Sequence, residues 1–178
     1  MNDLMLLAAL LAGPAYGYAL RKTAGLIFGA GAMHNNVIYP ALKKFVHNGW
    51  VSQSSVPGDR GQQRKQYRLT AVGKKYLFGE VGKFTDRDAA DEGAFLFRVS
   101  LFEILASETR DSVIAARRGF LAARIAEMSQ LRAPMPPGSF AMMAIDRVQS
   151  RLEDELLWID QLERALRKQS GRTRRSEG

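Results

Sequence analysis

Residues 34–70 constrain the fold of this chain more than any other segment. They run HNNVIYPALKKFVHNGWVSQSSVPGDRGQQRKQYRLT. The segment contains a helical pattern, then a short stretch that alternates too weakly to assign by itself. A turn rich in Pro and Gly follows at 57–61, and a second stretch, Gln62–Leu69, alternates as a strand does. A helix followed by a hairpin with a basic tip predicts a winged helix-turn-helix.

The helix of this segment has two chemically distinct faces. Asn35 or Asn36 can cap its start, and Gly49 follows its end at the usual C-terminal capping position. Helical spacing groups the apolar side chains on one face, which we expect to lie in the core: Ile38, Ala41, Leu42 and Phe45. The opposite face carries amide, phenol, amine and imidazole groups, which suit a nucleic-acid groove: Asn36, Tyr39, Lys43 and His47.

The positive charge of the protein lies in the same part of the chain. Residues 1–76 contain ten Lys or Arg and two Asp or Glu, whereas residues 77–178 contain sixteen of each, so the whole net charge of +8 belongs to the first segment. Phosphates attract such a surface whatever the base sequence. The pattern therefore indicates that the first domain binds duplex DNA.

The remaining sequence predicts a mostly helical chain with a small β-hairpin wing. A first helix ends near Gly13-Pro14, a second spans about 15–24, and Thr70 caps a fourth that runs to about Phe84. Further helices are expected at about 93–106, 109–131 and 140–168. We therefore predict four parts: a winged-helix domain at 1–84, an acidic junction at 85–92, a helical dimerisation and possible effector domain at 93–169, and a disordered basic tail at 170–178.

The last predicted helix carries an apolar seam at heptad spacing, made of Ile145, Val148, Leu152, Ile159, Leu162 and Leu166. Such a seam can pair two subunits, or it can pack within one chain. A DNA-binding role favours the dimer, because two DNA-binding domains related by a two-fold axis match the two half-sites of a palindromic operator.

Four blocks of sequence resemble the PadR family of winged-helix transcription regulators. They are LAGPAYGYAL at 11–20, IYPALKKF at 38–45, NGWV at 48–51, and RKQYRLT at 64–70 with Gly73. Their order and spacing cover about the first 75 residues, and the last 90 or so resemble the helical C-terminal domain of longer members in pattern only. The chain departs from the family at 35–38, where Asn-Asn-Val-Ile replaces the common small residue, Gly, Thr and aliphatic.

The resemblance implies a homodimer that binds operator DNA, usually as a repressor. It also implies a small effector, which in some members is a phenolic acid and in others a lipophilic cation or drug. Because the departure at 35–38 falls at the start of the recognition helix, the resemblance implies no particular operator sequence.

Ten residues are candidates for DNA contact: Tyr16, Asn35, Asn36, Tyr39, Lys43, Lys44, Arg60, Gln62, Arg64 and Lys65. The two asparagines can bond adenine edges, although one of them can instead be the helix cap. The lysines and the wing residues suit phosphates, the alternative being ordinary solvated side chains. We expect Tyr18, Trp50 and Tyr67 to lie in the core.

Phe95, Arg98 and Trp158 are candidates for binding an aromatic or lipophilic effector, with plain packing as the alternative.

With no Cys and only His34 and His47, we expect no metal, no cofactor and no enzyme activity. Glu153, Asp154 and Glu155 are expected on a solvated helix face.

The apolar run at 4–12 is too short to span a membrane, so we expect a cytoplasmic protein without a membrane partner. The rival interpretation is a winged helix that binds an acidic protein partner.

Overall fold

The structure is a computed structural model that describes residues 2–20, 22, 35–57 and 62–176. Contacts divide the chain into two compact units. The winged-helix unit comprises Met1–Phe84 and Glu92–Ala106, and the helical unit comprises Thr85–Asp91 and Ser107–Gly178. Helices dominate both units, and the strands form one small antiparallel sheet, as predicted.

The described elements of the winged-helix unit are α1 (Asn2–Ala9), a 3₁₀ turn (Leu10–Ala12), β1 (Ala15–Tyr16), α2 (described at 17–20 and 22), α3 (Asn35–His47), β2 (Val51–Pro57), β3 (Gln63–Leu69), α4 (Ala71–Val81), α6 (Glu92–Val99) and a 3₁₀ turn (Phe102–Ile104). The core is apolar, with Leu6, Phe45, Leu77 and Phe95 all fully buried. The predicted inner face of α3 is confirmed, because Ile38, Ala41, Leu42 and Phe45 are all buried.

The wing is a regular hairpin. Strands β2 and β3 pair antiparallel from Val51 opposite Leu69 to Pro57 opposite Gln63. Strand β1 adds a third strand on the other side of β3, with Ala15 opposite Tyr67 and Tyr16 opposite Gln66. The prediction that a helix begins at Ala15 was therefore wrong by two residues. The chain turns at Gly13, whose φ of 135° is rarely open to other residues, and the extended pair after it is held by long-range backbone bonds.

Thr70 joins the wing to α4, as predicted. Its hydroxyl accepts a hydrogen bond from Gly73 N at 3.0 Å and lies 2.7 Å from the carbonyl oxygen of Gly49. The backbone N–H of Thr70 donates to the carbonyl of Trp50 at 3.0 Å. The ring of Trp50 stacks on Tyr76 with 3.7 Å between centroids. These contacts fix the end of the wing on the first turn of α4.

The helical unit contains α5 (Asp86–Ala90), α7 (Ser107–Arg132) and α8 (Phe140–Ser176). Arg132 near the end of α7 pairs with Asp146 near the start of α8, while Arg117 pairs with Glu155. These pairs show that the two helices run antiparallel. Arg117 is buried, and its guanidinium donates to both carboxylate oxygens of Glu155 and to the carbonyl of Ala89 on α5.

The structure differs from the sequence predictions in three places in the second half of the chain. Residues 85–92, predicted as a junction, contain α5, which Thr85 and Asp88 start with a capping box. Residues 92–106 belong to the winged-helix unit rather than to the helical unit. Helix α8 continues to Ser176 instead of ending before a disordered tail at 170, since extending an existing helix costs far less than starting one.

Candidate nucleic-acid interface

An open groove of ≈ 650 Å³ lies on the winged-helix unit between helix α3, the recognition helix, and the sheet. Three parts of the sequence line it: the β1–α2 segment, helix α3 and the two wing strands. The lining residues are Tyr16, Gly17, Tyr18, Tyr39, Lys43, Val46, Gln53, Arg64, Lys65 and Tyr67. This described lining holds four phenols, three cations and no carboxylate, so the groove is cationic and rich in hydrogen-bond donors.

Local structure explains why these side chains meet. Tyr39, Lys43 and Val46 are spaced at i, i+4 and i+7, which puts them on one side of α3. Tyr67 lies on the central strand of the sheet, opposite Ala15 of β1 and Gln53 of β2. The groove therefore has one wall made by a helix and another made by the sheet.

Five of the ten predicted DNA-contact residues line this groove: Tyr16, Tyr39, Lys43, Arg64 and Lys65. Three others lie elsewhere. Asn36 is exposed in the first turn of α3, Gln62 is exposed just before β3, and Lys44 forms an ion pair with Asp3 of α1 at 2.8 Å. Arg60 lies outside the described residues, and of Asn35 only the backbone, in α3, is described.

Tyr18 and Gln53 also line the groove but were not among the predicted contacts. Tyr18 is 65% exposed, so the prediction that it lies in the core was wrong. Tyr67, at 5% exposed, is a core residue as predicted. The signal that could have identified Tyr18 is its place in a Tyr-Gly-Tyr sequence, in which Tyr16 and Tyr18 both flank the glycine at the groove.

Two shifted pKa values describe the electrostatics of this region. Burial, followed by the nearby Tyr39, raises the pKa of the Tyr67 phenol, so this group stays neutral in the groove wall. The hydrogen bond to Asp3 and the charge of its carboxylate raise the pKa of the Lys44 ammonium. Lys44 thus stays charged, but its charge is already balanced by a partner.

Residues 6–78 match the sequence model of the transcriptional regulator PadR-like family. This chain belongs to the PadR-like family. The match covers the second half of α1, the β1–α2 segment, the recognition helix α3, the wing and most of α4, so it includes all three parts that line the groove. The chain is accordingly a PadR-like transcription regulator with a winged-helix fold, and members of this family are regulators rather than enzymes.

Several solved structures are similar to this PadR-like chain. A candidate transcriptional regulator from Thermoplasma acidophilum is 32% identical, covers 44% of this chain and 75% of its own, and has a TM-score of 0.42. Bacillus subtilis PadR in complex with operator DNA is 17% identical, covers 90% and 94%, and has a TM-score of 0.46. A PadR family transcription regulator from hypervirulent Clostridium difficile R20291 is 24% identical, covers 44% and 81%, and has a TM-score of 0.39. No curated protein matches the chain.

The predicted effector residues lie in different units. Phe95 and Arg98 are buried in the winged-helix unit, whereas Trp158 lies on α8 of the helical unit and is 36% exposed. The guanidinium of Arg98 donates to the carbonyl oxygens of Ala94 and Lys83 and lies over the rings of Phe84 and Phe97. Arg98 is thus built into the core, and effector binding by these residues stays a prediction.

The predicted dimer seam has a mixed environment. Ile159 is fully buried within the chain and Val148 is 42% exposed. The other four residues, Ile145, Leu152, Leu162 and Leu166, are partly exposed.

Among the residues that the structure describes, none of the helices is both apolar and long enough to cross a bilayer.

Proposed function

We propose that this PadR-like regulator is a cytoplasmic homodimer that binds a pseudo-palindromic operator and represses transcription. The observation that supports this proposal best is the cationic groove, because side chains from the recognition helix and from the wing converge on it. A winged helix binds duplex DNA with these same two elements. Helix α3 would enter the major groove, and the wing would follow the adjacent phosphate backbone.

The proposed DNA contacts, five in the groove and one beside it, divide by chemistry into three kinds. Lys43, Arg64 and Lys65 would pair with phosphates and supply affinity that depends on salt. Tyr16 and Tyr39 would donate neutral hydrogen bonds to phosphate oxygens, which fix position without adding charge. Asn36, exposed in the first turn of α3, would bond base edges there and supply sequence selectivity.

The homodimer would form through α8. Four side chains on this helix support the proposal, because their exposed fractions are large for apolar residues: Phe140 89%, Met143 57%, Leu157 61% and Trp158 36%. Apolar surface of this kind is stabilised when a second chain covers it. A small aromatic or lipophilic effector would release the DNA if it bound more tightly to the dimer whose winged helices are spaced wrongly for the operator.

Selection of binding duplexes from a random library tests this function. We expect enrichment of a two-fold symmetric sequence whose half-sites lie about 10 base pairs, or a multiple, apart. Asn36→Ala should relax the selected sequence at one position in each half-site. Enrichment of no sequence, with binding that depends on charge alone, would contradict operator reading and favour an acidic protein partner.

A further inference from the structure

Gly17 makes a close approach to Tyr39 at the inner end of the groove. A Cβ atom on Gly17 would lie 3.0 Å from Cε1 of Tyr39, and 3.6 Å from both its Cζ and its hydroxyl oxygen. The first of these distances is shorter than ordinary van der Waals contact between carbon atoms. A Cβ atom at position 17 would therefore require the ring of Tyr39 to shift by a few tenths of an ångström.

The position of Gly17 is fixed by the sheet. It directly follows β1, where Ala15 pairs with Tyr67 and Tyr16 pairs with Gln66 of the wing strand. Gly17 is itself buried, although Tyr39 is 51% exposed. One side of the Tyr39 ring thus lies against the residue that follows strand β1 of the wing sheet, while about half of the residue remains exposed.

The phenol of Tyr67 lies on the same side of the groove. It is close enough to Tyr39 for the charge of one phenol to affect the other. Gly17 therefore limits the positions open to the Tyr39 ring from the sheet side. A side chain held in one rotamer loses little conformational entropy when it binds, which raises its contribution to affinity.

We propose that Gly17 is a positioning residue for DNA binding, which holds Tyr39 of the recognition helix in register with the wing. This inference rests on the proposed function, since it assigns a role to Gly17 in operator binding. In this position the Tyr39 hydroxyl would donate to a phosphate of the same DNA strand that the wing contacts. Gly17 itself would touch no DNA.

Fluorescence anisotropy with the full chain and its selected operator tests this role. We expect Gly17→Ala to weaken operator binding about three- to tenfold, the cost of a misplaced hydrogen bond. The slope of log K against log salt should stay the same, because every ion pair with phosphate remains. Gly79→Ala is the matched control: it lies in α4, no heavy atom lies within 4 Å of its added Cβ, and it should bind like wild type.

A double-mutant cycle separates positioning from a structural effect. In a Tyr39→Ala background the added methyl group meets no ring, so Gly17→Ala should cost nothing further. If Gly17→Ala binds like wild type, or costs as much with Ala at 39 as with Tyr, the proposal is overturned. If Gly17→Ala lowers the midpoint of thermal unfolding, the double variant should recover it and bind like Tyr39→Ala alone. A double variant that binds more weakly than Tyr39→Ala would also overturn the proposal.

The results distinguish a failure of the positioning role of Gly17 from a failure of the proposed function. If wild type binds no duplex selectively, the operator proposal fails before any variant is made. If wild type binds its operator selectively and Lys43→Ala weakens that binding, while Gly17→Ala has no effect, only the positioning role fails.

Discussion

Lys43 and Lys44 are neighbours on the recognition helix but have different surroundings. Lys43 lines the cationic groove beside Arg64 and Lys65 of the wing. The ammonium of Lys44 lies 2.8 Å from a carboxylate oxygen of Asp3, on helix α1. A helix turns by about 100° per residue, so adjacent lysines reach different sides of α3. Only one of the two cations faces the proposed path of the DNA.

The pair supplies a matched test of the groove. Lys43→Ala should weaken DNA binding and reduce the salt slope by about 0.9 for each phosphate that is no longer neutralised, or about 2 for a dimer. Lys44→Ala should change both quantities much less, since its charge is already paired. Anisotropy titrations over a range of salt concentrations measure both. Equal effects of the two substitutions would mean that the groove does not determine where the DNA binds.

Gly73 should be essential for folding of the winged-helix unit. A Cβ atom there would lie 2.0 Å from the carbonyl oxygen of Trp50 and 2.9 Å from Cδ1 of Leu69. Because backbone must move to admit it, Gly73→Ala should lower the free energy of unfolding by about 3 kcal/mol or more. Gly79→Ala on the same helix has open space around it and should raise that free energy by about 0.5–1 kcal/mol.

Urea denaturation monitored by tryptophan fluorescence checks both values. The chain has two tryptophans, so a Trp158→Phe background makes Trp50 the sole reporter of the winged-helix unit. A Gly73→Ala variant as stable as its background would contradict the close packing of α4 on the wing.

Arg117 should matter far more than Arg118 to the stability of the helical unit. The side chains of Arg117 and Glu155 are 4% and 15% exposed, and they form a paired, two-bond contact. Arg117→Met leaves a buried carboxylate without its cation and should cost about 3–5 kcal/mol. Arg118 is 37% exposed beside Asp160 and Glu163, and Arg118→Ala should cost about 1 kcal/mol or less.

Chemical denaturation followed by circular dichroism measures these costs. The double variant Arg117→Met/Glu155→Leu should regain much of the missing stability, since apolar pairs often replace buried ion pairs without a net cost. Equal costs for Arg117→Met and Arg118→Ala would show that burial does not determine how much the Arg117–Glu155 ion pair contributes to the free energy of unfolding.

The raised pKa of Tyr67 predicts a decrease of stability in alkali. The folded chain holds this proton more tightly than the unfolded chain, so the contribution is complete below the unfolded value of about 10 and disappears as the pH rises through the folded value. The difference in phenolate absorbance between wild type and Tyr67→Phe should have its midpoint above 10. A midpoint at or below 10 would contradict the burial of this phenol.

Helix α8 offers a test of the proposed dimer. Val148 is 42% exposed while Ile159 is fully buried in the same chain. Val148→Glu should shift the chain from dimer to monomer in analytical ultracentrifugation while leaving the helical content unchanged. Ile159→Ala should instead lower the free energy of unfolding by about 2–5 kcal/mol. A Val148→Glu variant that remains fully dimeric would exclude this residue from the subunit contact.

Features set by local sequence were predicted well. The inner face of α3 and the cap at Thr70 follow from helical spacing and capping chemistry, and the buried Tyr67 follows from the tendency of aromatic side chains to fill cores. The four blocks of sequence also identified the family, because their spacing reflects the whole winged helix.

Features set by distant parts of the chain were missed. The two-residue strand β1 exists only because β3 pairs with it. Lys44 meets a carboxylate 41 positions away, and the carboxylate of Glu155 meets an arginine 38 positions away. Glu155 was expected on a solvated face for this reason. Neither capping nor periodicity carries such information, since both describe only neighbours in sequence.

The proposed function depends on the groove of the winged-helix unit and its binding to duplex DNA. Its most direct test is fluorescence anisotropy of the full chain on a duplex from its own upstream region and on a scrambled duplex, at several salt concentrations. We expect tighter binding to the upstream duplex, with a log–log salt slope of about −5 to −9 for roughly six to ten phosphates per dimer. Equal and weak binding to both duplexes, unchanged by Lys43→Ala, would contradict it.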